Sequence, residues 1–91
     1  MRLTAAAAVA RLKAVFRRAL REARRRKAQV FLELFAGVGE ITAAWQRDGY
    51  GAIRFELSLG DEFDVAREAT VKLISGWLRS HCIAGVWLGT P

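Results

Sequence analysis

Two glycines and one acid are the residues of this chain whose spacing points most directly to chemistry. Gly37 and Gly39 lie in the stretch Phe35-Ala36-Gly37-Val38-Gly39-Glu40, and Glu56 follows Gly39 by 17 positions. Glycines let the backbone turn tightly and bring N–H groups close to a ligand at the start of a helix. An acid about 20 residues further on, at the end of the next strand, is where nucleotide-binding folds place a carboxylate for ribose hydroxyls. A Gly-x-Gly pair alone is also an ordinary turn, and a Glu at a strand end is also an ordinary solvated side chain. Position gives the pair its weight, with an apolar strand before it and a helix after it.

The surroundings of this loop restrict the ligand. The chain has no Gly-x-x-x-x-Gly-Lys-Ser/Thr, which excludes a nucleoside-triphosphate P-loop. The loop holds no Lys or Arg, and Glu33 and Glu40 flank it, so a polyphosphate would meet two carboxylates. S-adenosylmethionine has no phosphate and carries a sulfonium and an ammonium, which suit an acidic loop better than NAD does. An NAD-dependent oxidoreductase is disfavoured on the same ground.

The elements that must position this loop are legible in the patterning. Val30–Phe35 is apolar, β-branched and aromatic, and reads as a buried strand. Ile41, Ala44 and Trp45 mark a short helix stopped by Gly49. Residues 52–56 read as a second strand, and Leu59-Gly60-Asp61-Glu62 as a turn. From Val65 to Arg79, Ala66, Ala69, Leu73, Ile74, Trp77 and Leu78 follow helical spacing, with Asp64 as the N-cap. Cys82–Leu88 is a last apolar strand. The order β-α-β-α-β implies parallel strands joined by crossovers.

Glu33-Leu34-Phe35-Ala36-Gly37-Val38-Gly39 resembles the first motif of class I S-adenosylmethionine-dependent methyltransferases. The wording Leu-Phe-Ala-Gly-x-Gly looks most like the DNA cytosine-5 methyltransferase branch. The resemblance covers residues 30–91. It implies that Phe35, Ala36, Gly37, Val38 and Gly39 hold the cofactor, that Glu56 holds its ribose hydroxyls, and that Asp64 stands beside its adenine. Leu88-Gly89-Thr90-Pro91 looks like the lead-in to the family's Pro-Pro-Cys motif, with Thr90 in place of the first Pro. Glu40 stands where the family usually has another Gly, and the segment between Glu56 and Asp64 is compressed. The expected activity is methyl transfer, directed to cytosine in DNA. The attacking cysteine would come just after Pro91, so residues 30–91 correspond to the front of the enzyme and are expected to be inactive alone. Cys82 begins a strand and does not replace that cysteine. The other reading is a non-catalytic nucleic-acid-binding or interaction module, a remnant of the same fold.

Residues 1–27 are of a different kind. They carry ten Lys/Arg against one acid, Glu22, a charge of +9, whereas residues 28–91 carry −3. Thr4 to Lys27 contains no Gly or Pro and is rich in Ala, Leu and Arg, which predicts a long basic helix. Leu12, Phe16, Leu20 and Ala23 form its apolar stripe. Three roles stay open: a solvated helix laid on the domain, an arm contacting DNA or RNA phosphates, and an organelle-targeting or membrane-surface helix.

The expected architecture is therefore α/β: a partial Rossmann-like parallel sheet over residues 28–91, preceded by a long basic N-terminal helix over residues 1–27. A single Cys excludes an internal disulfide, and one Cys with one His, His81, argues against a zinc centre. The lone cysteine suits a reducing compartment, and no apolar run is long enough to span a membrane. Trp45 and Trp77 are expected in the core. The strand at Cys82–Leu88 is expected to keep one edge open, exposing Ile83, Val86, Trp87 or Leu88 and inviting self-association, unless the front helix docks its stripe there.

Overall fold

The computed structural model describes residues 2–23, 29–34, 40–80 and 83–89. It is an α/β structure with three helices and a three-stranded parallel sheet. In chain order these are α1 (Ala5–Glu22), β1 (Val30–Leu34), α2 (Glu40–Arg47), β2 (Gly51–Phe55), α3 (Glu68–Arg79) and β3 (Ile83–Leu88). Two single 3-10 turns, Leu57–Leu59 and Asp61–Phe63, link β2 to α3.

The sheet order is β2-β1-β3. Val30 to Leu34 pair in parallel with Gly51 to Phe55, and on the other side Leu34 pairs with Leu88. One register shift falls between Val30, which pairs with Ile83, and Phe31, which pairs with Gly85. Gly85 fits there because a Cβ would press on the Phe31 ring.

Strand alternation sorts the two faces. Val30, Leu32, Ile53 and Phe55 point into one core with Leu12 and Ala19 of α1 and Ile74 and Trp77 of α3. Phe31 points to the opposite face, where it stacks on Trp45 of α2 at 4.3 Å and meets Tyr50 edge-on. The two β-α-β crossovers run in opposite directions across the sheet, and their helices lie on opposite faces. Both therefore have the same hand, as parallel sheets require. This arrangement is compatible with the front of a Rossmann-like sheet.

Local signals account for the helix ends. Thr4 caps α1, its hydroxyl accepting from the Ala7 N–H at 3.1 Å. Gly49 ends α2 at φ 90°, with its N–H donating to the Gln46 carbonyl and that of Tyr50 to the Trp45 carbonyl. This is the paired 5→2 and 6→1 closure that glycine permits without steric cost.

Four expectations change. The apolar side of α1 is centred on Ala8, Leu12 and Ala19, all buried, while Phe16 and Leu20 are half-buried at its margin. The small residues win because α1 lies close on β2: the Ala19 carbonyl sits over Gly51, where no Cβ would fit. The helix docks over β2 and α3, so the apolar edge at β3 is not covered by it. Asp64 does not cap α3, which starts at Glu68 after a turn; its carboxylate accepts instead from the Ala66 N–H at 3.0 Å. The later start rotates the buried side of α3 to Thr70, Ile74 and Trp77, leaving Ala66 and Leu78 exposed.

Candidate functional site at the carboxyl ends of the strands

The chain leaves β1 at Leu34, steps first to β2 on one side, and later returns to β3 on the other. The carboxyl end of β1 is therefore a point where strand order reverses, the place at which open α/β sheets form a crevice. Leu34 has Phe55 and Leu88 as its register partners, and the Gly89 N–H donates to the Leu34 carbonyl at 2.9 Å. The three strand ends are thus level.

Phe35, Ala36, Gly37, Val38 and Gly39 lie outside the described residues, between the end of β1 and the start of α2. Glu56 is described. It directly follows Phe55, the register partner of Leu34, so it stands just past the end of the strand beside β1. Its backbone is extended, and its carboxylate accepts from the Ser58 N–H at 3.4 Å.

Glu33 is the site residue whose role sequence reasoning misjudged. It was expected to flank the loop, yet its side chain is buried on the α2 face of the sheet. Glu33 Oε1 accepts from the Thr42 N–H at 2.9 Å and from the Thr42 hydroxyl at 2.6 Å. Thr42 lies in the first turn of α2, so a carboxylate supplied by β1 satisfies one of the unpaired N–H groups at the positive end of that helix. An incoming phosphate would find that position occupied by a negative charge. The signal was available in the alternation of Val30–Leu34, which puts Glu33 on the same side as Phe31. Glu40, by contrast, is exposed at the start of α2.

Asp64 lies in a second polar cluster, which ties the chain's first residues down. Its Oδ2 accepts from the Arg2 guanidinium at 2.7 Å. Asp61 accepts from the Leu3 N–H at 2.8 Å and from Arg67 at 3.0 Å, and Arg67 also donates to the carbonyls of Leu3 at 2.8 Å and Thr4 at 3.2 Å. Arg67 is largely buried, so its planar fork holds the start of α1 against the turn at residues 61–67. No local sequence pattern announces the contacts to Arg2, Leu3 and Thr4, because each joins residues about 60 positions apart.

Beside the outer edge of β2 is an open cavity of about 350 Å³, lined among others by Val15, Thr42, Gln46, Arg54, Leu59 and Phe63. It adjoins both the first turn of α2 and the segment just after Glu56. Its volume falls within the range of small-molecule sites, roughly 300–1,000 Å³. Among the described residues no group of His, Cys, Asp and Glu could hold a metal ion, and no helix is long and apolar enough to cross a membrane. His81 and Cys82 lie outside the described residues. The chain matches no known family, no curated protein and no solved structure.

Proposed function

We propose that this chain is the S-adenosylmethionine-holding portion of a methyltransferase, directed to cytosine in DNA. The observation that carries the reading is the buried Glu33 carboxylate on the first turn of α2. Dinucleotide-binding folds keep that helix end open for a pyrophosphate. Here a carboxylate already takes one N–H of that helix end, and strand order still reverses at the end of β1. A nucleoside cofactor without phosphate, carrying positive charge, is the ligand class compatible with both facts. Glu56 would accept from its ribose hydroxyls, and the loop at Phe35–Gly39 would meet its amino-acid end through backbone groups. When bound, the cofactor supplies a methyl group on a sulfonium, ready for transfer to a nucleophile.

Asp64 would reach the adenine only by exchanging its bond to Arg2, so Arg2 would compete with the cofactor. Isothermal titration calorimetry tests the whole reading. S-adenosylmethionine or its demethylated product should bind more tightly than NAD. Gly37→Val should abolish binding, and Glu56→Ala should weaken it by about 10- to 100-fold, the loss of hydrogen bonds to a charged acceptor. Arg2→Ala should strengthen it. Binding of NAD as tightly as S-adenosylmethionine would overturn the proposal.

A further inference from the structure

The outward side of α1 is left with a single sign of charge. Arg11, Lys13, Arg17, Arg18 and Arg21 are all exposed. At about 100° per residue they fall within an arc of roughly 160°, directly opposite the buried Ala8, Leu12 and Ala19. The one acid on the helix is Glu22, which pairs with Arg18 at 3.1 Å. Lys13, Arg17 and Arg21 rise in steps of about 6 Å along the helix.

We infer that this face of α1 docks on the phosphate backbone of duplex nucleic acid. The inference goes beyond the cofactor reading and does not depend on it. Charge complementarity selects a polyanion, and packing selects which one. A helix lying on an anionic membrane must bury its apolar side among the lipids. In α1 that side is already consumed by the core with Val30, Ile53 and Trp77, so only the cationic side is free. Single strands are bound largely by stacking bases on aromatic rings. The exposed side of α1 has none, since Phe16 is stacked on Trp77 at 4.3 Å. Its free groups are cations on long side chains, with no Asn, Gln, Ser or Thr among them, a composition suited to phosphate contacts, which carry no sequence information. The core holds the helix in place, so the cations are presented on a fixed face rather than on a loose arm.

Fluorescence anisotropy with two unrelated 20-base-pair duplexes, titrated with salt from 50 to 200 mM, tests this. Both duplexes should bind equally. The slope of log affinity against log salt should approach about −0.9 for each cation engaged, hence roughly −3 to −4.5 for this face. The triple variant Arg11→Gln, Arg17→Gln, Arg21→Gln should flatten it by about 0.9 per substitution. Its thermal melt should match the parent, because these side chains are exposed. A parallel variant with Gln at Arg24, Arg25, Arg26 and Lys27 serves as comparison. Three results would each overturn the inference: no duplex binding at 50 mM salt, an unchanged slope in the triple variant, or tighter binding to anionic phospholipid vesicles than to duplex.

Discussion

Gly51 opens β2 directly beneath α1, and a side chain there has nowhere to go. A Cβ built on Gly51 would lie far inside contact distance of the Ala19 carbonyl oxygen, and 3.2 Å from Val30 Cγ2. The first obstacle is backbone, which no rotamer change can relieve, so α1 must lift off the sheet. Lifting it loosens Leu12 and Ala19, both buried against β1 and β2. Overpacking of this kind costs about 1–3 kcal/mol, and a backbone obstacle belongs at the upper end. For a chain of this size a change of about 2–3 kcal/mol lowers Tm by roughly 10–20 °C. Gly76 is the internal comparison: it lies inside α3 with nothing within 4 Å of its would-be Cβ. There the same Gly→Ala change should stabilise by about 0.5–1 kcal/mol, because alanine loses less backbone entropy in a helix. Urea and thermal denaturation followed by circular dichroism read both variants. If Gly51→Ala melts at or above the parent while Gly76→Ala gains stability, α1 does not seat on β2 as described.

Other expectations follow from single residues. The Thr70 hydroxyl is buried without a hydrogen-bond partner among the described residues, so Thr70→Val should raise stability by about 1 kcal/mol; a loss on denaturation would show that the hydroxyl is satisfied. Arg67→Met removes the bonds to Leu3, Thr4 and Asp61 and should cost about 2–3 kcal/mol, with hydrogen exchange accelerating first at Ala7 and Ala8; uniform exchange across α1 would refute the tether. Val86, Trp87 and Leu88 are 43%, 51% and 64% exposed on a strand that has one neighbour among the described residues, so the chain is expected to sediment as larger species at rising concentration. Trp87→Lys with Leu88→Lys should suppress this, and a monomer at every concentration would refute it.

The strands were legible because each is an apolar run bounded by a turn, and their parallel order followed from the alternation with helices. The side of α1 that faces the core was legible at Leu12, Phe16 and Leu20, but its most buried centre was legible only at Leu12. Reading by hydrophobicity favours Phe16 and Leu20, whereas the contact favours Ala8 and Ala19, since what matters is how closely Gly51 lets the helix approach. That is a property of a pair of segments, and neither segment states it alone. At the site, the strand pattern placed Glu56 just past β2, and the register sets it beside the end of β1. Asp64 looked like a helix cap because an acid precedes an apolar helical pattern. The true helix begins later, once Asp61, Asp64 and Arg67 have taken up Arg2, Leu3 and Thr4, and those partners are too distant in sequence to leave a local mark. Glu33 shows the converse: strand alternation gave its direction, but an acid next to a glycine loop drew attention to the loop.

The tether between Arg67 and Leu3 also sets an order of events during synthesis. The two residues are 64 positions apart, and Leu12 finds its core neighbours between Val30 and Trp77. At about 5–20 residues per second, α1 therefore leaves the ribosome several seconds before the segments that will cover it. An isolated helix of this length is marginal in water, so during that interval it flickers open and displays both its apolar and its cationic side to solvent or to any nearby surface. Nascent chains arrested with Arg67 still inside the ribosome should be cut readily by protease within α1, and chains arrested well beyond it should resist.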